Sequence, residues 1–248
     1  MLTYDFPLSS KSRIYLKFET LFKRIENCKN LDSEAELFCI TRGVIDFMDM
    51  LDGSGTIKIE ILKDIDRMDG KFKQWEQDPE VNTALIKDLR KQLAAARSTI
   101  DQFTRQRTVL KDDLILESIK PRFLTPCGVN NFDTPLFLFW QNLPKTEKLE
   151  TISKWLHELD ILRTPISTIL KMWRLCSEPQ KRIAKNGFMQ ESGDNCEFIE
   201  IKYPKTVRAY PVVSGFQSSI NVRFIPYDKG QRCGDIEFEL TFIKGALL

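Results

Sequence analysis

The chain has 248 residues, 42% hydrophobic and 29% charged, with a net charge of +2. That composition supports a substantial buried core and excludes a largely disordered or low-complexity protein. The longest apolar run, LFLFW at 136–140, is far too short to cross a bilayer, and the N-terminal MLTYDFPLSSKSR lacks the apolar core of a secretion signal, so a cytoplasmic location is expected.

In chain order, Ile14, Phe18, Leu21, Phe22 and Ile25 recur at three- and four-residue steps and predict a helix from Ser10 to near Cys28. Ser33 and Glu36 form a capping box, after which Leu37, Ile40, Val44, Phe47 and Leu51 continue at helical spacing until DGSG at 52–55. Ile57, Ile61, Ile65, Met68, Phe72 and Trp75 extend too far for a strand and read as a third helix. Asp78 with Pro79 is the expected N-cap of a fourth, carrying Val81, Leu85, Leu89, Ala96, Ile100 and Phe103; it should form an antiparallel hairpin with the third.

LKDDLILESIK reads as a helix that Pro121 terminates. Thr134 and Pro135 cap a short helix ending at Pro144, TEKLETISKWLHEL makes another, and Thr164 and Pro165 start a last one through Trp173. A helical domain over residues 1–180 is expected.

From about Ile183 the apolar period changes to two. Ile199, Ile201 and Tyr203 alternate with Glu200 and Lys202, and Phe238, Leu240 and Phe242 alternate with Glu237, Glu239 and Thr241, while Ser214–Gly215 suits a hairpin turn. In SSINVRFIPYD at 218–228, Ile220, Val222 and Phe224 share one strand face and Arg223 the other. The expectation is an antiparallel β domain over residues 181–248, with four or five strands and one wet face, packed on the helices: an α+β fold.

Motifs that carry chemistry are nearly absent. His157, the single histidine, sits in a predicted helix with no GxSxG serine anywhere, and neither GxxxxGK[ST] nor GxGxxG occurs. Six cysteines lie scattered without a CxxC pair, so reduced thiols and no zinc site are expected. Asp112 and Asp113 point about 100° apart on a helix and cannot share one ion unaided. Capping or solvation is their expected role. Trp75, Trp140, Trp155 and Trp173 fall in apolar helical patterns and read as core. No cofactor, no metal and no enzymatic activity are expected.

Charge supplies the remaining signal. From Asp32 to Glu80 there are 13 acidic and 6 basic residues, and from Lys87 to Lys185 there are 18 basic and 11 acidic ones. Arg97, Arg105, Arg107, Lys111, Lys120 and Arg122 surround the end of the long hairpin; Arg174, Lys181, Arg182 and Lys185 mark the exit to the sheet. Nucleic acid or an acidic peptide would both explain such a surface, and a basic nucleic-acid-binding adaptor is one reading. Arg223 could equally pair across strands with Glu237 or Glu239.

The runs CGVNNFDTPLFLFW (127–140), KNGFMQESGDN (185–195) and AYPVVSGFQSSINVRFIP (209–226), joined in order by FPLSSKSRIYLKFE and EILKDIDRMDGKFKQW, resemble the ZapD family of bacterial cell-division proteins over nearly the whole chain. The resemblance implies a non-enzymatic regulator that is dimeric, with a helical and a β domain. It further implies binding to the C-terminal tail of the tubulin-like protein FtsZ and bundling of its filaments into the division ring at mid-cell. The family holds the tail in a basic pocket. Arg223 matches one strand arginine of that pocket, and Lys120 and Arg122 match basic positions; Ser219, Leu114 and Leu138 stand where the family has an arginine, a basic residue and a histidine. Lys111, one helical turn before Leu114, can cover the same patch. Asn221 shares the strand face. The implied tail-binding set is therefore Arg223, Lys111, Lys120, Arg122 and Asn221.

Overall fold

The computed structural model describes residues 1–31, 33–104, 108–193, 195–216 and 219–245. A strand, β1 (Leu2–Pro7), precedes α1 (Ser10–Asn27), α2 (Glu34–Asp52), α3 (Ile57–Trp75) and α4 (Thr83–Asp101). Next come α5 (Thr108–Lys111), α6 (Leu114–Ile119), a 3-10 helix at Lys120–Leu124, α7 (Pro135–Gln141) and the long α8 (Lys145–Leu175). The strands β2 (Pro179–Ala184), β3 (Phe188–Glu191), β4 (Phe198–Tyr203), β5 (Ala209–Phe216), β6 (Ser219–Pro226) and β7 (Ile236–Ile243) complete an α+β architecture. Contacts group the chain into a sheet-containing unit (Met1–Leu16, Lys63–Arg90, Thr168–Leu248) and a helical unit (Lys17–Leu62, Lys91–Ser167).

Local chemistry accounts for the helix boundaries. Ser33 Oγ accepts from the Glu36 N–H at 3.2 Å and starts α2, as its sequence signature requires. The start of α4 differs from expectation. Pro79 follows Asp78 in a turn closed by Val81 N–H to Asp78 C=O at 3.2 Å, so the helix is capped later, by Asn82 Oδ1 on the Leu85 N–H at 3.1 Å. Antiparallel α3 and α4 are held at one end by Lys58 Nζ on the Asp101 and Phe103 carbonyls, both at 3.0 Å, and at the other by Arg90 on Asp69 and Glu76 at 2.9 and 2.6 Å.

Two helices expected from proline placement come out differently. LKDDLILESIK is interrupted, because Asp113 takes an extended backbone and its Oδ1 accepts from the Ile115 and Leu116 N–H groups, both at 3.0 Å. Pro121 then sits in the first turn of the 3-10 helix instead of ending a helix. Pro165 lies inside α8. An interior proline costs about 3 kcal/mol, but Ile152, Trp155, Leu159, Leu162, Ile166, Ile169 and Trp173 form a continuous buried stripe along that helix. Each such side chain contributes about 1.5–3 kcal/mol, so the stripe prevails over the proline.

In the helical unit, Phe18 meets Phe22 and Phe47 with ring centroids 5.8 Å apart in each pair. Gly43 lets α2 approach α1, since a Cβ there would lie 2.7 Å from Ile25 Cγ1. Trp140 packs on Trp155 at 5.2 Å, and the Trp155 indole N–H donates to Asp113 Oδ2 at 2.8 Å.

Instead of one sheet, the strands form two: β1-β4-β7-β2 and β3-β6-β5, with every paired neighbour antiparallel. Their inner faces share one core, in which Phe224 sets its ring edge-on to Tyr203 at 5.3 Å and against Phe238 at 5.4 Å. Both faces of β4 are covered, so even Glu200 is buried, beside Lys202 Nζ at 2.6 Å. Ser214 and Gly215, expected as a turn, are paired residues of β5 opposite Asn221 and Ile220. A Cβ at Gly215 would fall 2.6 Å from the Ser219 carbonyl, which explains the glycine by close approach. Ser218 lies outside the described residues.

A polar centre sits inside the sheet-containing unit. Lys11 Nζ lies 2.8 Å from Asp64 Oδ1 and 2.7 Å from Glu197 Oε1, and the Tyr15 hydroxyl donates to Asp64 Oδ2 at 3.0 Å. Asp64 is fully buried. Burial pushes the Lys11 pKa down, but Asp64 and Glu197 together hold it above the ordinary lysine value. Burial raises the Asp64 carboxyl, with Lys11 and Tyr15 opposing. Because folded Lys11 keeps its proton more tightly than unfolded Lys11, its stabilisation is complete below the ordinary value of 10.5 and is lost as the pH rises above it. Lys11→Met should lower the unfolding free energy in urea by about 3–5 kcal/mol, since it leaves a buried carboxylate without its cation. It should also flatten the loss of thermal stability above pH 10.5 relative to the unmodified protein.

Candidate partner-binding surface

The alternation of β6 places Ile220, Val222 and Phe224 in the core and turns Arg223 outward, as its sequence predicts. Arg223 does not face a glutamate. β6 pairs with β3 and β5, so Arg223 sits between Phe188 and Val212, whereas Glu237 and Glu239 lie on β7 in the other sheet, opposite Ile183 and Lys181. The Arg223 guanidinium lies 5.8 Å from the centre of the Phe188 ring, and no carboxylate pairs with it among the described residues. Asn221, in the next row of the same face, is half-buried opposite Gln190 and Ser214. Its Oδ1 has no hydrogen-bond partner among the described residues. Ser219 accepts from Gln190 Nε2 at 3.2 Å.

The other three candidates belong to the helical unit. Lys111 Nζ lies 3.4 Å from Asp52 Oδ1 and Lys120 Nζ 2.8 Å from Asp49 Oδ1, so the last turn of α2 gathers both cations, while Arg122 Nη1 is 4.0 Å from Asp133 Oδ1. Part of the acidic stretch thus pairs with part of the basic one within a single chain. All three pairs are solvent-exposed, and pairs of that kind contribute about 0–1 kcal/mol. Such cations can change partner at little cost.

Leu114 is 70% exposed and Leu138 40%, so both are surface positions. Leu124, Phe132 and Phe139 are exposed too, a feature that reading apolar residues as core overlooks. Of the other basic residues, Arg174 is held by Asp5 at 3.3 Å and Glu200 at 3.8 Å. Arg182 makes a two-pronged pair with Glu191 at 2.7 and 2.6 Å, and Lys185 lies 2.6 Å from Asp235. Those hydrogen bonds raise the Arg182 pKa and depress that of Asp235. Arg105 and Arg107 lie outside the described residues.

A cleft of about 520 Å³ in the sheet-containing unit is lined by Trp75, Cys176, Glu178, Glu191, Cys196 and Phe242. Trp75 is therefore only half-buried, in contrast to fully covered Trp155 and Trp173. Burial pushes the Cys176 thiol up, away from the thiolate that nucleophilic chemistry needs. All six cysteines are free thiols, and His157 is exposed. Among the described residues no cluster of three or more histidine, cysteine or acidic side chains could hold a metal ion, and no helix is long and apolar enough to cross a membrane.

Residues 16–223, from the first helix to Arg223 itself, match the family model of the cell division protein ZapD. The chain belongs to the ZapD family. Relatives named cell division protein ZapD include those of Photorhabdus laumondii, 27% identical over 242 residues (97% of this chain, 96% of the relative), and Vibrio vulnificus, 29% identical over 244 residues (97% and 99%). The relative in Aliivibrio fischeri is 28% identical over 242 residues, 97% of each chain. Membership gives the chain a role in cell division.

If the helical unit's cations are as loosely held as their exposure indicates, replacing both Asp49 and Asp52 by asparagine should change the urea unfolding free energy by less than about 1 kcal/mol. A larger loss in denaturant titrations would mean that Lys111 and Lys120 are structurally committed.

Proposed function

We propose that this protein is a non-enzymatic regulator of division that binds the C-terminal tail of FtsZ. As a homodimer in the cytoplasm, it cross-links FtsZ filaments and promotes ring assembly at mid-cell. The observation that carries this reading is Arg223: an outward-facing guanidinium, without a carboxylate among the described residues, in a chain of a cell-division family. Lys111, Lys120 and Arg122, whose own pairs are weak, add further charge-assisted contacts to the acidic tail, and Asn221 lends a polar group beside Arg223.

A guanidinium holds a carboxylate through two parallel N–H donors, which fixes orientation as well as charge. One tail on a few exposed cations binds weakly. Two tails on one dimer convert the second capture into an intramolecular step and raise avidity by about 10²–10⁴ without any new contact. Bundling then needs both the dimer and low enough salt, because exposed charges are screened beyond about 8–10 Å at physiological ionic strength.

In filament co-sedimentation, Arg223→Glu should abolish retention of the protein on FtsZ, and deletion of the FtsZ tail should do the same for the unmodified protein. Raising salt from 0.05 to 0.5 M should weaken bundling steeply. Retention that ignores the tail, together with capture on DNA, would replace this reading with a nucleic-acid-binding adaptor.

A further inference from the structure

The outer face of the β3-β6-β5 sheet has an unusual composition for a wetted surface. Its middle row is Phe188, Arg223 and Val212, the next row is Ile225 and Tyr210, and the row on the other side is Gln190, Asn221 and Ser214. Phe188 is 41% exposed, Val212 46% and Tyr210 44%, and Ile225 is half-buried. Arg223 is the one charged side chain in these three rows. Solvated antiparallel faces commonly set opposite charges across strands. Here the cation is flanked by apolar side chains on both neighbouring strands.

We propose that this face is an amphipathic peptide-recognition surface: Arg223 takes a carboxylate of an extended acidic–apolar segment, while Phe188 and Val212, with Tyr210 and Ile225 beside them, cover the apolar side chain next to it. The proposal rests on the tail-binding reading and adds residues that set specificity. A lone cation explains the selection of an anion, and its apolar flanks explain the selection of an anion adjoined by hydrocarbon. Single-stranded nucleic acid fits less well, because it recruits a groove of several cations along its phosphates.

Docking across the face is favoured over addition of a strand at the edge. The Phe224 N–H donates toward β3, to the Gly187 carbonyl at 2.7 Å, so Phe224 and its partner Pro211 do not form a hydrogen-bonded pair. Pro211 therefore turns its donorless nitrogen to the open edge of β5, where it discourages an added strand.

The test uses the full chain and two fluorescent peptides in anisotropy titrations: the FtsZ tail, and the same tail with its apolar residues replaced by serine and every acid kept. The unmodified protein should bind the serine-substituted tail about tenfold more weakly. Phe188→Ser and Val212→Ser should weaken the natural tail by a similar factor, leave the serine tail unaffected and keep the salt dependence, whereas Arg223→Gln should weaken both peptides and reduce that dependence. Phe188→Leu should restore binding. Thermal melts show that each variant is folded, and Val212, on an edge strand, gives an independent readout should Phe188→Ser unfold. Equal binding of both peptides to the unmodified protein, or unchanged binding by the serine variants, would overturn the apolar role while leaving tail capture intact. Failure of both peptides to bind would overturn tail capture and this proposal together. A single-stranded oligonucleotide whose binding is lost in Val212→Ser would reassign the face to nucleic acid.

Discussion

One lysine shared between two carboxylates holds the sheet-containing unit together. Lys11 enters from the first turn of α1, Asp64 from the middle of α3 and Glu197 from the residue before β4, and these three segments are remote in sequence. The backbone reinforces the junction: the Leu8 and Ser9 N–H groups reach the Glu197 carbonyl at 2.8 and 3.2 Å, and the Glu197 N–H reaches Ile243 at 2.8 Å. Ser9 Oγ also bonds the Glu197 carboxylate. A buried ion pair is weak evidence for stability compared with well-packed hydrocarbon, but it is demanding about geometry. Fully buried Asp64 can remain charged only where Lys11 and Tyr15 both arrive, so the cluster specifies how α1, α3 and the β4 edge meet. Next to this junction β1 lies beside β4 in the sheet, with Tyr4 stacked on Tyr203 at 5.7 Å.

Local periodicity carried much of the helical architecture. The bounds of α1, α2 and α3 follow from apolar spacing and from Ser33, because a helix closes its hydrogen bonds within its own sequence. Where tertiary packing decides, the sequence was less legible. LTYDFP has only six residues and no hairpin signal, and it becomes a strand solely through β4, about two hundred positions away. Pro165 signalled a helix start, and the buried stripe on both sides of it overruled that signal. Asp78 carried the N-cap signature but was consumed by the Pro79 turn. The division of the strands into two sheets depends on pairing partners, which alternation along one strand does not encode.

The same distinction applies to the surface. That Arg223 points outward is a property of β6 alone and was readable from INVRF. Its neighbours are a property of pairing: Phe188 and Val212 become adjacent only when β3 and β5 align on β6, and Glu237 lies on β7 in the other sheet. Likewise, the charge imbalance between the two stretches of sequence was visible, but not that Asp49 and Asp52 would each hold a lysine from the segment after α4.

These two kinds of cation suit different tasks. Lys111 and Lys120 each already sit against an exposed carboxylate, so transfer to an acidic segment would release as much pairing as it creates and would contribute chiefly attraction at a distance. Arg223 has no carboxylate to exchange among the described residues, and its guanidinium lies 5.8 Å from the centre of the Phe188 ring. A hydrogen bond from it to a carboxylate would displace water and no carboxylate among the described residues, and would be strengthened where apolar neighbours exclude solvent. The proposed reversible grip on a filament calls for that division of labour: a loosely paired set that attracts and an arginine that orients, each individually weak, with strength drawn from multiplicity.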